Sequence, residues 1–219
     1  MRKCISCIVL SICMLLLPGC QQNRENRANM ELFRNGYKQL QELSSVHVRL
    51  EIYSGNSWAD MELTGVTNEW RNGEDFYSTS DNGSRELYYL GNCWTMSRLR
   101  PQWERNKRPS AMSTRWRNFE AVSFFAGATF KREGEYIVLE QRKDLGSDNC
   151  TFSRQISTNV FYMKENGEIV QATEMTVTYN GTDVNSEKIH SVSKRDYYII
   201  PMDAKEVNFQ IQRQYQTLG

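Results

Sequence analysis

From Met30 the apolar positions follow a helical spacing. Met30, Phe33, Tyr37, Leu40 and Leu43 recur three or four residues apart, while Glu31, Arg34, Lys38 and Glu42 fall on other sides. One amphipathic helix is the expectation. It is interrupted only at Asn35-Gly36, where a glycine costs a helix interior about 1 kcal/mol. The period then changes to two. Val46, Val48, Leu50 and Ile52 alternate with His47, Arg49, Glu51 and Tyr53, and Ala59, Met61 and Leu63 with Asp60, Glu62 and Thr64. Such alternation marks a strand buried on one side. Four Asn-Gly pairs, at 72–73, 82–83, 166–167 and 180–181, separate runs of this kind. That dipeptide tolerates positive φ at both central positions of a hairpin turn. With turns added at Gly91-Asn92 and Glu133-Gly134, the expected strands are 46–53, 58–70, 75–80, 85–90, 93–98, 129–133, 136–142, 158–164, 168–179 and 188–200.

One stretch breaks the meander. Residues 98–109 are polar and basic around Trp103 and read as a loop. Met112, Trp116, Phe119, Val122 and Ala126 then return at helical spacing, with Phe124 and Phe125 widening the stripe into an aromatic helix over 110–127. Asp203-Ala-Lys-Glu206 can open a last short turn of helix. The expected fold is α+β: a strongly curved antiparallel sheet of about ten strands, a half-barrel, covered by the N-terminal helix and the inserted aromatic helix.

The first twenty residues carry a different signal. Arg2 and Lys3 precede an apolar run over 5–17, and Leu17-Pro18-Gly19-Cys20 follows. A membrane-spanning helix needs about 20 apolar residues, so the run reads as a cleaved leader. The last four residues resemble a bacterial lipobox, with cleavage between Gly19 and Cys20 and a diacylglyceryl group on the Cys20 thiol. An ordinary leader that leaves Cys20 free is the alternative. Two acyl chains anchor stably where one binds reversibly. The organisation is therefore a signal peptide over 1–19, a lipidated polar tether over 20–28, and a domain over 29–219. Cleavage removes two of the 27 basic residues against 26 acidic ones and leaves a net charge of −1. Nucleic-acid binding needs a basic surplus that is absent here.

Lipobox, tether, N-terminal helix and a long meander with an inserted apolar helix together resemble the LolA/LolB-like half-barrel superfamily of lipid and lipoprotein carriers. The resemblance rests on element order. It implies an apolar cavity under the helices that holds a lipid or acyl chain, and of the family's functional residues only the lipidated Cys20 is carried over. The same layout resembles a germination-associated lipoprotein of spore formers, which implies a second function: docking an envelope protein such as a cell-wall enzyme. Either way the protein is a non-catalytic binding protein outside the cytosol. Gln21 after the cysteine leaves a Gram-positive cell membrane or a Gram-negative outer membrane as its address.

Candidate cavity residues are Val48, Leu50, Ile52, Met61, Leu63, Met175 and Val177 on strands, with Trp116, Phe119, Phe124 and Phe125 on the inserted helix. The same residues form an ordinary core if sheet and helix touch. Tyr53, Trp70, Tyr88 and Tyr197 are expected on the outer face, where such rings suit a membrane interface or a partner. Cys93 and Cys150 invite a disulfide in an oxidising compartment, with two free thiols as the alternative. His47 and His190 stand alone, without the spacing of a metal site or a nucleophile elbow. No catalytic residue, cofactor or metal is expected.

Overall fold

In the computed structural model the described residues are 25–106, 128–148, 153–180 and 188–218. Residues 25–42 form helix α1. The helix includes residues 25–28, which lie inside the stretch read as tether. Its first described residues (Glu25, Asn26, Arg27) carry no apolar side chain, so periodicity could not mark them. Eleven strands follow: β1 (Ser45–Gly55), β2 (Glu62–Asn72), β3 (Asp75–Ser80), β4 (Arg85–Tyr89), β5 (Asn92–Ser97), β6 (Arg100–Asn106), β7 (Thr129–Glu133), β8 (Tyr136–Asp148), β9 (Ser153–Met163), β10 (Ile169–Asn180) and β11 (Ile189–Pro201). Helix α2 (Ala204–Tyr215) and a short 3-10 turn (Gln216–Leu218) end the described chain.

All eleven strands lie in one antiparallel sheet, in the order β6-β5-β4-β3-β2-β1-β11-β10-β9-β8-β7. Two meanders, β1–β6 and β7–β11, meet where the first strand pairs with the last: Val46 opposes Pro201 and Gly55 opposes Val192. The sheet is curved and its outer strands β6 and β7 leave it unclosed, so the α+β half-barrel layout expected from the element order is the one observed. Register shifts at Ile52/Tyr53, Thr178/Tyr179 and Asp144/Gly146 supply local bends, because an extra residue on one strand kinks it and increases its twist.

Residues 98–109 are not simply a loop. Arg100–Asn106 is the edge strand β6, exposed except for the half-buried Trp103. An edge strand needs no apolar alternation and tolerates Pro101, and its charges discourage pairing with another chain. The β8–β9 hairpin also runs further than its apolar residues do, through the exposed Arg154–Asp144 ion pair. The inserted helix expected over 110–127, with Trp116, Phe119, Phe124 and Phe125, lies outside the described residues.

The turns explain the glycines. Asn82-Gly83 and Asn166-Gly167 close three-residue loops in which only the glycine has positive φ, at 84° and 90°. In each, the Asn Oδ1 accepts the backbone N–H two residues on, from Ser84 at 2.8 Å and Glu168 at 3.0 Å. The β4–β5 turn is Leu90-Gly91, one residue earlier than the sequence suggests, with φ of 50° and 75°.

Parity along the strands defines two faces. On one, Phe33 and Leu40 of α1 pack against Val48, Leu139, Phe161, Ala172, Tyr197 and Ile199, all under 4% exposed. Phe33 meets Phe161 edge-on at 5.1 Å between ring centroids. On the opposite face, Val207 and Ile211 of α2 pack against Tyr77 and Leu87, flanked by Trp70, Tyr89 and Trp94. Asp203 caps α2 by accepting the Lys205 N–H at 2.7 Å. The short helical turn expected at Asp203–Glu206 is thus a twelve-residue helix.

Candidate functional site

The register separates the strand residues proposed as one lining. Val48, Leu50 and Ile52 pair with Ile199, Tyr197 and Arg195 and lie on the α1 face. Met175 and Val177 pair with Lys194 and Val192 and lie on the α2 face. Leu63 opposes Tyr53, also on the α2 face, and is half exposed. Met61 is half-buried ahead of β2. These seven residues do not line one pocket. Each alternates correctly along its own strand, but the parity of β10 relative to β1 is set by β11, which sequence does not place between them.

Of the three on the α1 face, Val48 is 3% exposed within the α1 core and Leu50 packs against that core. Beyond the α1 footprint this face turns polar. Gln141, Asn159, Glu174 and Arg195 oppose one another in sequence across β8, β9, β10 and β11. Gln141 and Asn159 are buried, and Arg195 Nη1 meets Glu174 Oε2 at 3.2 Å. One row further out stand Ser157, Thr176, Ser193 and Ser54. On the β2 side the same face holds a buried ion pair, Arg71 Nε to Glu69 Oε1 at 2.8 Å, with the Arg71 guanidinium 4.5 Å from the centre of the Phe76 ring.

Cys93 sits on this face opposite Tyr88, 2% exposed, and its thiol is free. The Cys93–Cys150 bridge that the compartment invites is therefore not formed here; Cys150 lies outside the described residues. Burial, and then the Glu86 carboxylate, push the Cys93 thiol up to about 11.

The aromatics expected together on the outer face are also divided. Tyr53 and Trp70 lie on the α2 face, whereas Tyr88 and the buried Tyr197 lie on the α1 face. Trp70 stacks between His47 and Tyr77, with centroids at 4.7 and 5.7 Å. His47 Nε2 lies 3.1 Å from Asn68 Oδ1, and burial lowers its pKa. His190 is exposed. Among the described residues no group of three His, Cys, Asp or Glu side chains is placed to hold a metal.

A charged network on the α2 face was not anticipated. Glu51 and Asp196 are cross-strand partners, an arrangement that repels unless cations intervene. Arg49 Nη2 meets Glu51 Oε1 at 2.7 Å, and Lys194 Nζ meets Asp196 Oδ2 at 2.6 Å. The Thr173 hydroxyl donates to Asp196 Oδ1 at 2.6 Å and the Tyr53 hydroxyl to Glu51 Oε2 at 2.7 Å. The Tyr53 hydrogen bond holds the Glu51 carboxyl below the usual range and the same bond raises the Tyr53 phenol to about 12. Alternating charges at 49, 51, 194 and 196 were visible in the sequence; their convergence needed the β1–β11 pairing. The Tyr198 hydroxyl donates to Glu51 Oε2 at 3.4 Å and Lys194 Nζ lies 5.0 Å from the centre of the Tyr53 ring, so the network ties β11 to β1 where the two meanders meet.

Two depressions are lined by described residues. One, about 150 Å³, lies between Glu25, Asn26 and Asn29 of α1 and Lys131, Arg132 and Ile137. The other is an open hollow beside Met202, Lys205 and Phe209.

The layout is that of an α+β half-barrel. A solved crystal structure of a LolA superfamily protein from Nitrosomonas europaea is similar to this chain over 78% of this chain and 94% of that one, at 12% identity and a TM-score of 0.33. No protein-family model matches the chain, and no curated protein matches it.

Proposed function

We propose that this chain is a lipid-anchored protein of the cell envelope, held outside the cytosol through Cys20, that works by binding and not by catalysis. The lipobox-like Leu17-Pro18-Gly19-Cys20 supports the anchor. Between the two binding modes, docking of an envelope protein is better supported than enclosure of an acyl chain. The observation that carries this is the filling of the α1 face: its aliphatic rows are packed under α1, and the rows beyond are ionic or hydroxylic. An acyl chain laid on hydroxyls and ion pairs would desolvate them without offering hydrogen bonds. One observation favours the lipid ligand, namely Leu50 and Ile52, which stay half-buried at the margin of α1.

Organic extraction and mass spectrometry of the purified domain (residues 21–219) tests the choice. Partner docking expects no stoichiometric lipid. One lipid per chain returns the function to a hydrophobic-ligand carrier. For the anchor, Cys20→Ser should move the protein out of the membrane fraction; unchanged fractionation and processing would remove the lipoprotein reading.

A further inference from the structure

The register places several features at one end of the sheet: the start of β1, the end of β11, and the β2–β3, β4–β5, β7–β8 and β9–β10 turns. The first described turn of α1 is at this end as well, with Glu25 and Asn26 beside Arg132 and Ile137. Four residues separate Cys20 from Glu25. At about 3.6 Å per residue those five steps span at most about 18 Å. The strands are longer than that reach, since the eleven residues of β1 at about 3.3 Å each cover about 36 Å. A chain anchored at Cys20 therefore keeps this end, and not the opposite one, close to the bilayer.

At the same end stands a residue that breaks a local rule. Leu90 occupies the first position of the β4–β5 turn with φ of 50°, where it is 69% exposed. Among the described residues it is the only non-glycine with positive φ. Bulky side chains avoid that region, and Asn, Asp or Gly are the residues such turns select. Side chains secure the strained turn: Asp75 Oδ1 accepts the Leu90 N–H, and Asn92 Nδ2 donates to the Leu90 carbonyl, both at 3.0 Å. An apolar side chain is thus held outward on a rigid tip where a polar one would fold more easily. The Arg132–Glu165 and Lys164–Glu168 pairs at the same end answer one another's charges.

We propose that this end of the sheet rests on the bilayer, with the Leu90 side chain entering the boundary between headgroups and acyl chains as a second contact beside the Cys20 anchor. The proposal rests on the lipoprotein reading. Its test is hydrogen exchange of the acylated chain in phosphatidylethanolamine/phosphatidylglycerol vesicles against the unacylated domain in solution. Amides of 89–92 should exchange more slowly on vesicles, while the opposite β5–β6 turn, whose Leu99 is 92% exposed, should be unaffected. Leu90→Asn suits the turn and should abolish the protection at 89–92 while leaving the domain folded; Leu99→Asn should leave it in place. The N-terminal peptide of the same digest reports whether Cys20 is acylated. An acylated chain with 89–92 unprotected, or with 97–100 protected instead, overturns this proposal alone. An unacylated Cys20 in the membrane-expressed protein overturns the anchor and this contact with it.

Discussion

Gly36 gives the most discriminating test of how the first helix is seated. By propensity alone, Gly36→Ala should help, since alanine is favoured over glycine in a helix interior by about 1 kcal/mol. The structure predicts the opposite sign. Gly36 is buried, and a methyl group built on it would overlap the Gly167 carbonyl oxygen and lie 3.0 Å from its carbonyl carbon. That carbonyl cannot easily retreat. Gly167 holds φ of 90°, its N–H donates to Lys164 O at 2.9 Å, and the Lys164 N–H donates to Glu168 O at 2.9 Å. On the other side, Leu32 Cδ1 lies 3.0 Å from where a Gly167 Cβ would stand. Two backbones meet here, so the added methyl must lift α1 away from Phe161 and Ile169.

Overpacking of this kind costs about 1–3 kcal/mol, occasionally more. Lifting the helix also loosens Phe33 and Leu40, which are 0% and 2% exposed. Against the propensity gain, the net loss should be about 2 kcal/mol. For a domain of this size each kcal/mol moves Tm by about 2–4 °C, so Tm should fall by about 4–8 °C. Thermal and urea unfolding of the 21–219 domain measure it, with Asn35→Ala, one residue earlier and exposed, as the stabilising control. A Tm for Gly36→Ala equal to or above the wild type would refute the close approach of α1 to the β9–β10 turn.

Four further outcomes follow from the same contacts. Asp196→Ala removes the buried partner of Lys194 and Thr173; because Lys194 keeps some solvent, the loss should be about 2–4 kcal/mol in urea unfolding, with Asp196→Asn milder. Leu90→Asn should raise Tm by a few degrees, since a left-handed leucine costs about 1–2 kcal/mol that asparagine largely avoids. Burial lowers the His47 pKa, so between pH 6.5 and its folded value the unfolded chain binds more protons; stability should fall as pH drops through that window, and His47→Gln should flatten the decline. Iodoacetamide at pH 8 should label Cys93 in urea and spare it in native buffer, because burial holds the thiol protonated up to about 11; native labelling at the unfolded rate would contradict the packing.

Local chemistry was legible wherever one residue type serves one geometry. Glycines 73, 83, 91, 134 and 167 all take positive φ in turns, and Asp203 opens α2 as its position suggested. The stripe from Phe33 to Leu40 is the buried side of α1. What escaped notice had its signal cancelled. Val207, Phe209 and Ile211 repeat with period two because Phe209 faces solvent, 62% exposed, between two buried residues; a helix with so narrow an apolar face imitates a strand. The edge strand β6 lacks alternation because little covers it on either side.

The strand residues of the candidate lining were grouped wrongly for a different reason, which concerns topology more than hydrophobicity. Alternation along Val46–Ile52 and along Met175–Val177 reveals two faces in each strand but not which faces coincide. That depends on pairing partner and register, and here the decisive partner is β11, which joins residues about 150 positions apart in the chain. Once Val177 and Val48 are assigned to opposite faces, a single apolar lining built from both is lost. What replaces it is a sheet clad on both faces near one end, by α1 on one and α2 on the other, with hydroxyls and ion pairs beyond α1. Such a sheet has little unclaimed aliphatic surface to offer a ligand on the α1 face. Among the described residues its exposed apolar side chains are Leu90 at the clad end, Leu99 and Trp58 at the other, Phe209 and Tyr215 on α2, and Leu63 and Ile200 on the α2 face of the strands. Binding that uses Leu90, Leu99 and Trp58 engages the two rims of the half-barrel, where a bilayer or a folded partner can reach them.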